Sequence, residues 1–209
     1  MPSVAERLAS LHDRPLNYDP DAPHPPEDGW RHDDYCEPLP PEPAGSPVEG
    51  GAFRIAQRLL RDYRVADPSI VRAYYDQAAP LEGRDMLLEL RFLVFRTYVG
   101  CRVGEVTDEA RTVAGRPAQI WGWPYRTLEG HIEQGQMAWE VWKWLDTGEV
   151  EFRVHSYSRF AGARNPFTAL GVRVFGQRQR RRYLTHACRR MSELTRAGLR
   201  GEHPAGAAA

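Results

Sequence analysis

The sequence predicts an α+β fold in which a curved antiparallel sheet of about six strands wraps around one long C-terminal helix, preceded by one helix and a proline-rich arm. Three observations predict it. Strand-like segments fill residues 69–158, and the connections between them are too short for helical crossovers, so the strands pair antiparallel. Helical periodicity then runs from Asn165-Pro166 to about Ala197, the only element long enough to cover one apolar face of a twisted sheet. The chain has 209 residues and is 42% apolar, enough for one substantial core.

Residues 1–48 read as an acidic arm. Residues 3–12 suit a short helix with Ser3 as N-cap and Glu6 closing a capping box. Nine of the 17 prolines then fall between Pro20 and Pro47, interleaved with Asp and Glu, a composition that neither continues a helix nor feeds a sheet ladder. Disorder is one reading of the arm. The other is a lid over the body or a contact in a homodimer, because Trp30, Tyr35 and Leu39 are apolar anchors that a solvated tail does not need.

The body spans 49–198, and 199–209 read as a flexible tail. Phe53, Ala56, Leu59, Leu60 and Tyr63 recur at helical spacing, giving an amphipathic helix that ends near Asp67-Pro68. Strands follow at 69–75, 86–98, 101–107, 118–126, 135–145 and 149–158. Asp146-Thr147-Gly148 reads as a hairpin turn. In the last strand Val150, Phe152, Val154 and Ser156 alternate with Glu151, Arg153, His155 and Tyr157, so one face is dry and one wet. Asn165 as N-cap, Pro166 at the first helical position and Gly198 as terminator frame the final helix. A sheet closed on one helix is a helix grip, an arrangement that leaves room for a cavity.

Charge excludes more than it identifies. Twenty-eight basic residues balance 28 acidic ones, so no net field announces a nucleic acid or membrane partner. No apolar run is long enough to span a bilayer, and none follows Met1 as a secretory signal would, so the chain reads as cytoplasmic. Cys36, Cys101 and Cys188 have neither metal nor disulfide spacing. No phosphate-cradling loop, nucleophile elbow or Cys/His dyad is present, and nothing calls for a metal or an organic cofactor.

The candidate site gathers where sheet and helix would face each other. Trp121, Trp123 and Tyr125 share a strand face, as do Met137, Trp139 and Val141 on the next strand; these rings serve either as core or as the wall of a pocket. On the final helix the apolar stripe is interrupted at Gln177 and Arg181, which would point a polar pair inward. An inward arginine is costly unless it pairs with a carboxylate such as Glu133 or meets an anion. The loop from Tyr125 to Gly135 carries His131 and Glu133, chemically competent as an acid/base pair with Tyr125.

Three functions remain in view. The leading one is binding of an apolar or amphipathic small molecule, with Trp121, Trp123, Tyr125 and Trp139 as wall and His131, Gln177 and Arg181 as orienting groups. The second is a cyclase- or hydrolase-type enzyme using His131, Glu133 or Tyr125. The third is binding of nucleic acid or an anionic partner through Arg178, Arg180, Arg181 and Arg182. It is disfavoured because consecutive helix positions spread around the axis, and because 27 arginines against the single Lys143 indicate codon bias.

Tyr125-x-Thr127-Leu128-x-Gly130-His131 with Gly135, then Ser156-x-Ser158-Arg159, then Gln177 and Arg181-Arg182-Tyr183, with Asn17-Tyr18 near the start, together resemble an uncharacterised bacterial and plant family known as domain of unknown function nineteen-ninety. Glu129, Gln136, Met137 and Phe160 depart from its pattern. The resemblance implies an architecture similar to START and Bet v 1-like helix-grip proteins, and it implies no reaction.

Overall fold

The structure, a computed structural model, describes residues 2–92, 95–162 and 166–202, and the side chains of residues 92, 95 and 166–177 are outside that description. Helix α1 (Val4–Ala9) opens with the expected capping box. Ser3 Oγ accepts the Glu6 N–H at 3.2 Å, and Glu6 Oε2 accepts the Ser3 N–H at 2.6 Å. Leu8 and Leu11 then pack against Leu87 and Leu128 on the outer face of the sheet.

The strands are β1 (Arg31–Leu39), β2 (Val71–Tyr74), β3 (Asp85–Phe92), β4 (Phe95–Val103), β5 (Thr107–Val113), β6 (Arg116–Thr127), β7 (Glu133–Trp144) and β8 (Val150–Phe160). They form one eight-stranded antiparallel sheet in the order β1-β8-β7-β6-β4-β3-β2, with β5 also on β6. Three of these differ from the sequence reading. Residues 86–98 are two arms of a hairpin, with Leu88 opposite Val99, rather than one strand. Both arms are apolar, and Leu93-Val94 between them lacks the Gly, Pro, Asn or Asp that marks a reversal. Residues 101–107 are likewise divided between β4 and β5. Val103 pairs with Tyr125 and Thr107 with Gly122, so three residues oppose two, a bulge that lets β4 and β5 run end to end along β6. β5 was unexpected because five of its seven residues are exposed and carry no apolar alternation.

The third difference lies in the arm, whose residues 31–39 become edge strand β1, paired with β8 along its whole length. Of its inward positions Arg31, Asp33, Tyr35 and Glu37 are only half-buried and three of them are charged, so Leu39 alone records a dry face. Upstream, His24 stacks on the Tyr157 ring at 4.4 Å and Arg159 lies 4.7 Å over Trp30. Downstream, Lys143 of β7 anchors the chain through Glu42.

Helix α2 (Ala52–Arg61) buries Phe53, Ala56 and Leu60, the face its spacing predicts. It stops before Asp67-Pro68, because Tyr63 adopts a left-handed φ of 51°. The Tyr63 N–H bonds Leu60 O and the Arg64 N–H bonds Leu59 O, a Schellman pair usually built on glycine. A bulky residue holds that conformation here because its ring is buried and its hydroxyl meets Tyr183 at 2.7 Å.

Helix α3 (Pro166–Leu199) closes the fold. Asn165, expected as its N-cap, lies outside the described residues, as does the tail from 203 onward. Gly198 does not end it. A Cβ there would come within 2.8 Å of Ile55, so this glycine sets the close approach of α2, and the left-handed turn falls at Gly201, φ 75°. Tyr183, Leu184, Ala187 and Met191 share one core with Trp121, Trp123, Trp139 and Phe152 of the sheet. The sheet therefore grips α3 as the sequence predicts. Among the described residues no helix is long and apolar enough to cross a membrane.

Candidate functional site

Between the inner sheet face and the turn of α3 around Arg180 lies a cavity of about 130 Å³. Val71, Leu88, Leu90, Ile132 and Met137 give it apolar lining, and the rings of Tyr125 and Tyr183 add to it. The rest of the lining includes a polar edge: Thr127, His131, Glu133, Ser158, Gln179 and Arg180.

The loop joining β6 to β7 supplies that edge, and its motif residues hold it in shape. Thr127 Oγ1 accepts the Gly135 N–H at 2.9 Å and donates to Asn17 Oδ1 at 2.6 Å, while Asn17 Nδ2 donates to Glu133 O at 2.9 Å. Gly135, at φ 137°, presses against the Tyr157 carbonyl so closely that no Cβ fits. Thr127→Val, which strands the Gly135 N–H and the Asn17 carbonyl, is expected to destabilise the fold by about 2–3 kcal/mol in denaturant titration.

Within the loop the Glu133 N–H donates to His131 Nδ1 at 2.9 Å. Nδ1 also lies 3.0 Å from the Glu133 carbonyl, but that oxygen already accepts from Asn17, whereas the Glu133 N–H can only donate; pairing that N–H makes Nδ1 the acceptor and puts the ring proton on Nε2. Burial, only partly opposed by the nearby Glu133 carboxylate, pushes the His131 pKa down to about 4.

Arg180 is the charged centre of the edge. Its Nε donates to Asp33 Oδ2 at 2.7 Å, Nη1 to Glu133 Oε2 at 2.8 Å and Nη2 to Ser156 Oγ at 2.9 Å. Arg31 meets the other Glu133 oxygen at 3.2 Å. Burial disfavours the Arg180 charge, but the facing Glu133 and Asp33 outweigh it and raise its pKa. Strand β1, the former arm, thus completes the site with Arg31 and Asp33.

Of the residues expected to form the site, Tyr125 and His131 line the cavity, and so does Glu133. Trp121, Trp123 and Trp139 are buried core beneath it: the Trp139 ring lies 6.1 Å from Tyr183 and Trp123 lies 6.0 Å from Tyr63. Arg181 is exposed and Arg180 takes the inward place, a slip of one residue. The Gln177 side chain lies outside the described residues. Arg178, Arg181 and Arg182 are exposed, and the internal network removes Arg180 from any basic patch they form. Sequence reasoning missed Ser158. Its signal was the dry face of β8, which turns from Val150, Phe152 and Val154 to Ser156 and Ser158. Ser158 is 3% exposed, and its hydroxyl has no partner among the described residues.

The family model described as a domain of unknown function, DUF1990, matches residues 17–186. No curated protein matched the sequence. Similar solved structures include that of Ara h 8.0201, at 8% identity and TM-score 0.48, covering 81% of this chain and 99% of that one. TTHA0849 from Thermus thermophilus follows at 8% identity and TM-score 0.46, covering 80% and 97%. A Thalictrum flavum norcoclaurine synthase point mutant in complex with a transition-state analogue has 11% identity and TM-score 0.42, covering 79% and 92%.

Proposed function

The chain belongs to the DUF1990 family, and from the cavity beneath its C-terminal helix we propose that it binds an apolar or amphipathic small molecule there. The observation that carries this reading is the Ser158 hydroxyl, buried, unpartnered among the described residues, and belonging to the lining of a cavity that is otherwise largely apolar. A buried hydroxyl without a partner is costly, and a ligand that bonds it relieves that cost. The volume suits a ring: a dry cavity of about 150 Å³ holds benzene.

An acid/base role for His131, Glu133 and Tyr125 has weaker support. Although all three line the cavity, His131 Nδ1 is occupied, Glu133 lies between two guanidiniums, and the Tyr125 hydroxyl donates to Met137 Sδ at 3.3 Å.

Toluene at millimolar concentration tests the pocket. Saturation transfer from protein to toluene is expected for the wild type and is expected to vanish in Ile132→Trp, which fills the cavity. Equal transfer in both proteins would put binding elsewhere, and none in either would end the proposal.

A further inference from the structure

Resting on that reading of the cavity, we propose that its ligand is uncharged, ring-sized at the end it buries, and carries a hydrogen-bond-accepting oxygen that meets Ser158 and His131. The charge arithmetic is local. Arg180 and Arg31 face Glu133 and Asp33, and each of the four is bonded to a group of opposite sign. The Arg180 side chain is only 13% exposed and has three of its five N–H groups committed. An entering carboxylate or phosphate would find only the two uncommitted N–H groups of Arg180, and would lie beside Glu133 and Asp33, whose charges already balance the two guanidiniums. An entering ammonium would compete with Arg180 and Arg31 for the same two acids. Either way a charge ends up desolvated without a partner of its own.

Two of the groups left over can donate, and the Gln179 amide beside them can donate or accept. With Nδ1 closed by the Glu133 N–H, His131, which lines the cavity, presents only its Nε2–H. Ser158 presents a hydroxyl on the same cavity edge. Both can donate, and the ring nitrogen can only donate, so they select an accepting oxygen: a carbonyl, an ether or a hydroxyl. Burial keeps that ring neutral down to a pH of about 4, so it adds no charge of its own at neutral pH.

Benzamide, benzoate and benzamidinium share one shape and differ in charge, which makes them the probes. Titration of the full chain by NMR is expected to show benzamide binding, with benzoate and benzamidinium weaker by about tenfold or more. Ser158→Ala removes a hydroxyl that no group among the described residues uses, so it is expected to fold as the wild type does. It is also expected to weaken benzamide by roughly fivefold while leaving toluene unchanged. Benzoate or benzamidinium binding as tightly as benzamide would overturn the charge argument. An unchanged benzamide affinity in Ser158→Ala would overturn the acceptor requirement. Loss of toluene binding by the wild type would overturn the cavity reading itself, an outcome distinct from the other two.

Discussion

Replacing Lys143 with methionine is expected to lower the stability of the fold by about 3–5 kcal/mol and its melting temperature by roughly 10 °C. Lys143 is fully buried, and its ammonium donates to Glu42 Oε2 at 2.6 Å and to Ser46 O at 3.0 Å. Glu42 in turn accepts the Val48 N–H at 3.0 Å and the Phe53 N–H at 2.8 Å, so this one carboxylate ties the end of the arm to the first turn of α2. Methionine matches the stem but leaves Glu42 buried beside an apolar group. The double variant Lys143→Met with Glu42→Leu is expected to regain most of the loss, because the unpaired charge, not the missing attraction, dominates it. Burial alone would raise the Glu42 pKa, but the bonds from Lys143, Val48 and Phe53 outweigh it and hold the carboxyl below its ordinary range. A lowered pKa in the folded state contributes stability that is complete above the unfolded carboxyl range and is lost as pH falls through the folded value. The gap between wild type and Lys143→Met should therefore narrow on acidification. Urea titrations at neutral pH and near pH 4 check both statements, and a neutral-pH loss under 1 kcal/mol would contradict the first.

Lys143 also illustrates how sequence and structure divide the information. In a chain that uses arginine 27 times, its single lysine reads as a by-product of codon bias, yet it is a fully buried cation. An arginine fork is bulkier and planar, whereas the pocket between Glu42 and Ser46 accepts a compact ammonium. The large elements were legible because periodicity records burial: the alternation of β8, the stripe of α2 and the long run of α3 all face the core. β1 and β5 were not legible, since edge positions carry polar residues and lose that record. The aromatic strand face was correctly placed inward, but periodicity cannot tell a cavity wall from a core floor. That distinction depends on how closely Tyr63 and Tyr183 approach the tryptophans across three elements.

The same limit explains the one-residue slip on α3, and a second large effect follows from it. From Leu184, both Arg180 and Arg181 satisfy helical spacing, four and three residues back. Tyr183 decides between them, because it is buried in the same stripe and lies three residues from Arg180. Its hydroxyl meets Tyr63 inside the core. Arg180→Met is accordingly expected to destabilise the protein by about 3–5 kcal/mol, whereas Arg181→Ala, at an exposed position, stays within about 0.5 kcal/mol of wild type. In Arg180→Met, among the described residues the Asp33 carboxylate keeps only Ser156, at 3.4 Å, and the Glu133 carboxylate only the half-exposed Arg31. Arg180→Lys is not expected to restore wild-type stability, since one ammonium cannot span Asp33, Glu133 and Ser156 as the planar fork does. Adding Asp33→Asn and Glu133→Gln to Arg180→Met is expected to recover part of the loss by removing the stranded charges. Denaturant titration of these variants decides the register. Should Arg181→Ala prove the more damaging of the two arginine changes, α3 would have to turn by about 100° per residue of error, and the cavity edge built on Arg180 would go with it.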